Sequence, residues 1–417
     1  MHTTAPTQEH AYLVGLDYRQ QSLMSPQESL RELARLARTA GATVVGQALQ
    51  RRRPDPATYI GSGKLAQVRA AREETGYSLV IFDEQLSPAQ QLRLESALEV
   101  KVLDRSALIL DIFASRARTR EAALQVELAQ HEYLLPRLRG QWQHLERLEG
   151  AIGSRGPGET QLETDRRLIG ARISRLKRHI EGVRRQRELH RRRRRRDGIP
   201  VVALVGYTNA GKSSLMQAVA GVDALAADAL FATLDPLTRR VGAEGSDAFL
   251  LTDTVGFIQK LPTQLISAFR ATLEELESAD LLLHVVDATS PASAAQSATV
   301  LATLAQLGLT GTPILTVLNK ADGLELEDGE LPTCEADLAR IAIENPARAA
   351  TDVHAELPDL GTEVVSALTG WGIASLRARL RGELFGEQSL TPIETAPVGA
   401  AGTRRPTIEV RTRSAAS

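Results

Sequence analysis

The chain has 417 residues, 43% of them hydrophobic, a formal net charge of -1 and a single cysteine. That length can bury large cores in two or three domains. The lone Cys334 excludes an internal disulfide and a thiolate zinc site, and is expected to be a plain structural residue in a reducing compartment. The opening MHTTAPTQEH has neither the positive flank nor the apolar run of a signal peptide, and no apolar stretch approaches the ~20 residues of a membrane span. A cytoplasmic protein without a membrane span is expected.

The charge is divided along the chain. Residues 1 to 200 hold 35 Lys+Arg against 24 Asp+Glu, a net of +11, and residues 201 to 417 hold 15 against 27, a net of -12. A basic half commonly faces a polyanion.

In chain order, YLVGLDY, ATVVGQAL, SLVIFD and VKVLD read as short strands, with SPQESLRELARLARTAG and SPAQQLRLESALE as amphipathic helices between them. This alternation predicts a small α/β domain over residues 1–110. YIGSGK, residues 59 to 64, resembles half a phosphate loop but lacks the first glycine, so a turn into a helix is expected.

Residues 111–196 read as a basic helical hairpin. Leu124, Leu128, Leu135, Leu138, Trp142 and Leu145 form one heptad seam; Leu162, Ile169, Ile173, Leu176, Ile180 and Val183 form another. Two seams imply an antiparallel pair. The intervening AIGSRGPGETQLE is its glycine-rich tip, with Thr160 and Glu163 as a capping box for the second helix. From Arg166 to Arg196 there are fifteen Lys or Arg and two acids, ending in six consecutive arginines. One reading is a solvated helix face with a charged linker. The one-sided excess favours RNA phosphate contacts, and the few aromatics argue against base stacking. The candidate contacts are Arg155, Glu159 and Gln161 at the tip, and Arg166, Arg167, Arg172 and Arg175 on the following helix.

Residues 197–385 read as a P-loop GTPase domain, a doubly wound parallel sheet. IPVVALVGYTNAGKSSLMQAVAG is a strand, a G-x-x-x-x-G-K-S loop from Gly206 to Ser213, and a helix. Backbone N–H groups of Gly206, Tyr207, Thr208, Asn209, Ala210 and Gly211 can close around a β-phosphate, with Ser214 just beyond. Lys212 reaches the β- and γ-oxygens, and Ser213 ligates Mg²⁺. FLLTDTVG ends a second strand with Asp253, which can hold Mg²⁺ through water, then Thr254, Val255 and Gly256, whose N–H can meet a γ-phosphate. PILTVLNKAD supplies Asn319, Lys320, Ala321 and Asp322, and TEVVSAL brings Ser366, Ala367 and Leu368 to the base. An aspartate at 322 accepts both guanine N1–H and N2–H₂, which selects GTP over ATP. The ligand belongs at the carboxyl ends of the parallel strands.

Together, GYTNAGKSS, DALFATLDPLTRRV, DTVGFI and above all GPGETQLETDRR resemble the HflX family of ribosome-associated GTPases, over about residues 11 to 385. The resemblance implies that Thr233 is the switch I threonine that ligates Mg²⁺, with Phe231, Ala232, Leu234 and Asp235 around the nucleotide, and that Lys212, Thr233 and Gly256 are catalytic positions. It further implies a GTP/GDP-binding hydrolase, expected as a monomer, that binds the large ribosomal subunit and its rRNA and splits or rescues stalled or idle ribosomes. In several related GTPases with an apolar residue after DxxG, an asparagine such as Asn209 helps bind K⁺; the alternative is that Asn209 only shapes the loop.

The chain departs from the family pattern at Ser214 and Leu237, each in place of a threonine, in the purity of the arginine run, and in an acidic insertion at 323–362, expected to be a solvated excursion. Residues 386–417 read as a flexible tail. Phe257 stands where many GTPases place a water-orienting glutamine. Either the ribosome supplies the missing part, or Phe257 only packs against the switch and another residue holds the water. A different class stays open as well: an RNA-binding, RNA-chaperone or modification-associated protein in which GTP is only a conformational lock.

Overall fold

The computed structural model of the chain describes residues 9–18, 24–138, 157–196, 198–221, 230–231, 233–242, 247–260, 276–309, 311–326, 329–341 and 358–386, with the side chains of 157–162 and 187–196 excepted.

The first sheet has the order β2-β1-β3-β4 and is parallel throughout. Its strands are β1 (His10–Asp17), β2 (Thr43–Arg51), β3 (Leu79–Phe82) and β4 (Lys101–Asp104). Helices α1 (Pro26–Thr39), α2 (Ser62–Thr75) and α3 (Pro88–Leu98) supply the crossovers. Both α1 and α3 begin at a serine and proline: Ser25 with Glu28 and Ser87 with Gln90 form capping boxes, and Pro26 and Pro88 pre-set the first turn. The YIGSGK stretch is a turn into α2, with Gly61 at its N-cap.

Asp104 caps α4 (Arg105–Arg116), and Thr119 caps α5 (Arg120–Leu134). The long α6 (Pro157–Arg196) packs alongside α5, tied by Glu127–Arg172 at 2.6 Å and Glu132–Lys177 at 2.8 Å. Along α6 the less exposed positions are Ile169, Ile173, Leu176, Ile180 and Val183, the expected apolar seam. The helix starts at Pro157, so Thr160 lies inside its first turn rather than at the cap, because a proline at the first helical position already provides the start. Trp142, Leu145 and most of the tip, with Arg155, fall outside the described residues.

The second sheet has the order β10-β9-β8-β5-β7-β6. Strands β5 (Val201–Gly206), β7 (Phe249–Asp253), β8 (Leu281–Asp287), β9 (Ile314–Asn319) and β10 (Asp359–Val364) are parallel; only β6 (Leu237–Val241) runs antiparallel, against β7. Helices α7 (Lys212–Ala220), α8 (Ser293–Gln306) and α9 (Ile373–Phe385) pack on it. The acidic insertion is less solvated than expected: Leu324 is buried beside Val286 and Leu318, Leu338 and Ile341 pack on the same cluster, and Leu326 bridges Ile341. Leu324 and Leu326 are buried, whereas Glu325, Glu330 and Leu331 are exposed, and Asp337 accepts from Thr333 N and Cys334 N.

The two sheets share one core. A single cluster of buried residues joins Leu33, Leu36, Ile112 and Phe113 of the first unit to Tyr207, Phe231, Leu234, Val255, Phe257 and Ile258 of the second. Phe113 and Phe231 meet edge to face, with centroids 4.5 Å apart. Each buried aromatic or aliphatic side chain contributes about 1.5–3 kcal/mol. Four such residues rival the net stability of an ordinary domain, about 5–15 kcal/mol.

Candidate nucleotide site

Three strand ends and one helix start converge on the site. The chain leaves β5 at Gly206, loops through 207–211 and enters α7 at Lys212. Gly211 has φ +90°, and a Cβ there would lie 2.2 Å from Asn319 Nδ2, so only glycine fits. Lys212 is buried, and its Nζ donates to the carbonyls of Gly206 at 3.1 Å and Tyr207 at 2.9 Å. An ammonium has three protons, so one remains for a ligand oxygen. Burial pushes this ammonium down to about 8, partly offset by the carboxylate of Asp253.

Ser213 Oγ lies 2.7 Å from Thr233 Oγ1 and donates to Asp253 Oδ2 at 2.7 Å. The other carboxylate oxygen, Asp253 Oδ1, is buried without a hydrogen-bond partner. Two hydroxyls and a carboxylate within contact distance, with one orphaned oxygen, are the hard donors that suit a small divalent cation completed by water and phosphate. Among the described residues no group of three or more His, Cys, Asp and Glu side chains could hold a metal alone.

Gly256 lies close to the phosphate loop: a Cβ there would stand 2.9 Å from Thr208 Cα and 3.0 Å from Lys212 Nζ. The Thr254 hydroxyl donates to the Leu204 carbonyl at 2.6 Å, and Val255 joins the shared core. Phe257 is 3% exposed and pairs with the phosphate loop, its N–H donating to Gly206 O at 3.1 Å and its carbonyl accepting from Thr208 N at 2.8 Å. Its side chain belongs to the buried core shared by the two units.

The base end is also assembled. Asn319 Nδ2 donates to Ala210 O at 2.9 Å and its Oδ1 accepts from Ala367 N at 3.0 Å, which ties the phosphate loop to the last loop. Lys320, at φ +66°, pairs with Asp287 at 2.7 Å. Ala321 N donates to Val365 O at 3.1 Å, and Ser366 Oγ donates to Asp322 Oδ1 at 2.6 Å. Leu368 is 84% exposed, outside this knot.

Switch I is seated on the first unit: Phe231 and Leu234 are buried there, and Asp235 accepts from Arg118 N at 3.0 Å and Thr119 N at 3.1 Å. Ala232 lies outside the described residues. Among the hairpin candidates, Arg166, Arg167 and Arg175 are exposed, Arg172 is paired with Glu127, and the side chains of Glu159 and Gln161 are outside the description. Sequence reasoning missed the residues of the first unit that meet Tyr207, Asp235 and Lys260: Glu32, Asp83 and Thr119, with Arg105 paired to the two acids. The available signal was Arg105, a charge at the junction of the apolar runs VKVLD and ALILDIF.

The chain is similar in sequence to known proteins. Three family models match in sequence: a GTP-binding GTPase N-terminal region over residues 27–114, a GTP-binding GTPase middle region over 116–194, and a 50S ribosome-binding GTPase over 201–320. GTPase HflX of Caldanaerobacter subterraneus subsp. tengcongensis is 49% identical over 329 residues, 78% of this chain and 76% of that one. GTPase HflX of Escherichia coli is 47% identical over 322 residues, 76% of this chain and 74% of that one. A solved GTP-binding protein of Sulfolobus solfataricus in complex with GDP aligns over 90% of this chain and 98% of its own, at 25% identity and a TM-score of 0.46. With three consecutive family models and relatives nearly half identical over three quarters of its length, the chain belongs to the HflX family of GTPases and hydrolyses GTP.

Proposed function

We propose that this GTPase binds the large ribosomal subunit through its basic hairpin, that the ribosome stimulates its hydrolysis, and that it serves in the cytoplasm, as a monomer, to split or rescue stalled or idle ribosomes. The observation that carries the reading is the seat of switch I: Thr233 stands beside Ser213 and Asp253, and two residues later Asp235 holds the N-terminus of α5, the first helix of the hairpin pair. A nucleotide-dependent movement of switch I is therefore felt where the hairpin is rooted. The description of the matching family model, 50S ribosome-binding GTPase, supports the same partner. Among the described residues no helix is long and apolar enough to cross a membrane.

In this reading the phosphate loop, residues 206–214, cradles the β-phosphate, and Lys212 gives its third proton to a phosphate oxygen. Ser213, Thr233 and Asp253 are the residues that would hold Mg²⁺. The ion, when bound, neutralises charge on the β- and γ-oxygens. Gly256 N–H meets the γ-phosphate, Asp322 reads guanine, and Asn209 contributes to a K⁺ site. With Phe257 committed to the core, the water-orienting group comes from the ribosome. Sedimentation of 70S ribosomes with the protein and either GTP or a non-hydrolysable analogue tests this. Separated subunits with the analogue are expected; ribosomes that neither bind the protein nor accelerate hydrolysis sink the reading.

A further inference from the structure

Between the two units lies a buried cluster of charges that the nucleotide chemistry does not use. From the first unit come Glu32 on α1, Asp83 just after β3 and Arg105 at the start of α4, with 8%, 4% and 1% exposure. Arg105 pairs with Glu32, and its Nη1 donates to Asp83 Oδ1 at 2.7 Å. From the second unit come Tyr207 of the phosphate loop and Lys260, four residues beyond Gly256. The Tyr207 hydroxyl donates to Glu32 Oε2 at 2.5 Å and accepts from Gln259 N at 2.9 Å. Lys260 Nζ donates to Asp83 Oδ2 at 2.6 Å, to Asp83 O at 3.2 Å and to Ser29 Oγ at 3.0 Å, and Glu84 is 3.1 Å away at the rim.

The charges within balance only when the units are docked. Glu32 and Asp83 carry two negative charges, and Arg105 supplies one positive. Lys260 supplies the other. Burial pushes the Asp83 carboxyl up, and Lys260 is the main group opposing that shift. Withdrawing Lys260 leaves a net negative charge in a dry site, which costs several kcal/mol unless water enters or a proton is taken up. Lys260 itself sits at φ +56°, a conformation that a non-glycine residue holds only when its surroundings demand it.

The segment this cluster fixes is switch II. Residue 257 is bonded to the phosphate loop, 259 to the Tyr207 hydroxyl and 260 to Asp83, so three of the four residues after Gly256 are pinned. We infer that Lys260 and Tyr207, docked on Glu32, Asp83 and Arg105, are positioning residues for GTP hydrolysis: the first unit holds switch II, and hence the Gly256 N–H, at the γ-phosphate. Nucleotide affinity rests on other contacts, those of 206–213, 319–322 and 366–367. The cluster therefore acts on the rate of the chemical step far more than on binding.

The test uses the full chain without ribosomes, measuring single-turnover GTP hydrolysis, GDP affinity and the melting midpoint. Misplacing a reacting group by 1 Å can cost on the order of 10²-fold. Lys260→Met is expected to slow hydrolysis about tenfold while GDP affinity stays within about twofold, and Lys260→Arg, which keeps the charge, to recover most of the rate. Tyr207→Phe keeps the ring in the core and removes both the acceptor for Gln259 N–H and the donor to Glu32 Oε2; several-fold slowing is expected. In a double-mutant cycle, Asp83→Asn and Lys260→Met should be strongly non-additive in rate. Wild-type hydrolysis in both Lys260→Met and Tyr207→Phe overturns the proposal. So does a loss of rate matched by an equal loss of GDP affinity, which would make the cluster a fold contact only.

Discussion

Thr119 and Asp235 are joined twice: the threonine's backbone N–H and hydroxyl both donate to the Asp235 carboxylate, and the neighbouring Arg118 N–H donates to the same oxygen as the Thr119 N–H. Thr119 Oγ1 also accepts from Ala122 N at 3.2 Å, so one hydroxyl both caps α5 and holds switch I. Replacing Asp235 by alanine leaves the cap and removes the link. Stability should fall by only about 1–2 kcal/mol, because the bonds are at the surface. Ribosome-stimulated hydrolysis should fall more than basal hydrolysis. Single-turnover rates with and without large subunits check this, and equal reductions would disconnect switch I from the hairpin.

The Asp322 carboxylate, oriented by the Ser366 hydroxyl at 2.6 Å, is the group proposed to choose the base. Asp322→Asn should weaken GTP binding strongly and raise the relative affinity for XTP, whose C2 carbonyl accepts where guanine donates. Competition binding with the two nucleotides reads it out. Equal ATP and GTP affinities in the unmodified chain would falsify the assignment.

The buried Lys212 makes nucleotide binding depend on pH. Its pKa in the free folded protein is about 8, below its ordinary 10.5. Between those values the unfolded chain binds the proton that the folded one has released, so the lysine's contribution to stability rises with pH across that window. A bound phosphate restores the charged form. Binding should then take up a proton above pH 8, and GDP affinity should fall toward tenfold per pH unit, while staying flat below about pH 7.5. Calorimetry at pH 8.5 in two buffers of different ionisation enthalpy measures the uptake directly. Zero uptake would mean that Lys212 never loses its proton.

Asn209 stands in the phosphate loop at φ +62°, a backbone state that asparagine tolerates better than most residues. If it contributes to a K⁺ site, hydrolysis should be several-fold faster in K⁺ than in Na⁺ at equal ionic strength, and Asn209→Ala should remove the difference. Indistinguishable rates in the two salts leave Asn209 as a loop-shaping residue.

The proposed contact of the hairpin with the ribosome predicts a salt signature. About five phosphate contacts give a slope near -4 in log affinity against log salt, and the charge-reversal triple Arg166→Glu, Arg167→Glu and Arg175→Glu should flatten it by about three contacts' worth. These three arginines are exposed, whereas Arg172 is engaged with Glu127, so Arg172→Ala should change the slope less than Arg175→Ala. Binding of large subunits measured at four or five salt concentrations is sufficient; an unchanged slope in the triple variant would move the contact elsewhere.

Much of this was legible because local rules and the tertiary fold agree. The four strands of the first sheet, the capping serines 25 and 87 and the loop from Gly206 to Ser213 all announce themselves through short-range patterns: alternation, a cap with its Glu or Gln three residues on, and glycines at set spacing. The relation between the units was not legible. Glu32 and Asp83 look like ordinary surface acids in sequence, and Lys260 like a loop lysine. Their pairing spans 177 residues for Asp83 and Lys260, and no periodicity encodes it. Phe257 shows the same limit. The sequence reveals a missing glutamine; only the packing shows that its replacement belongs to the joint between units. The acidic insertion misled in the opposite sense, because its many carboxylates hide Leu324, Leu326, Leu338 and Ile341, which cover the sheet.

Helix α6 runs without a break from Pro157 to Arg196, and β5 begins at Val201. Forty residues at 1.5 Å each make a rod about 60 Å long, with the phosphate loop at the far end of the next strand. A rod of that length is a lever whose fulcrum is one strand away from the phosphate loop. A tilt of about 5° at the β5 end carries the Pro157 end through roughly 5 Å, the pitch of one helical turn. Displacements near the γ-phosphate too small to change the fold would thus arrive at the other end large enough to make or break a fit against a rigid surface, and a push on that end would return to the switches reduced in distance and multiplied in force.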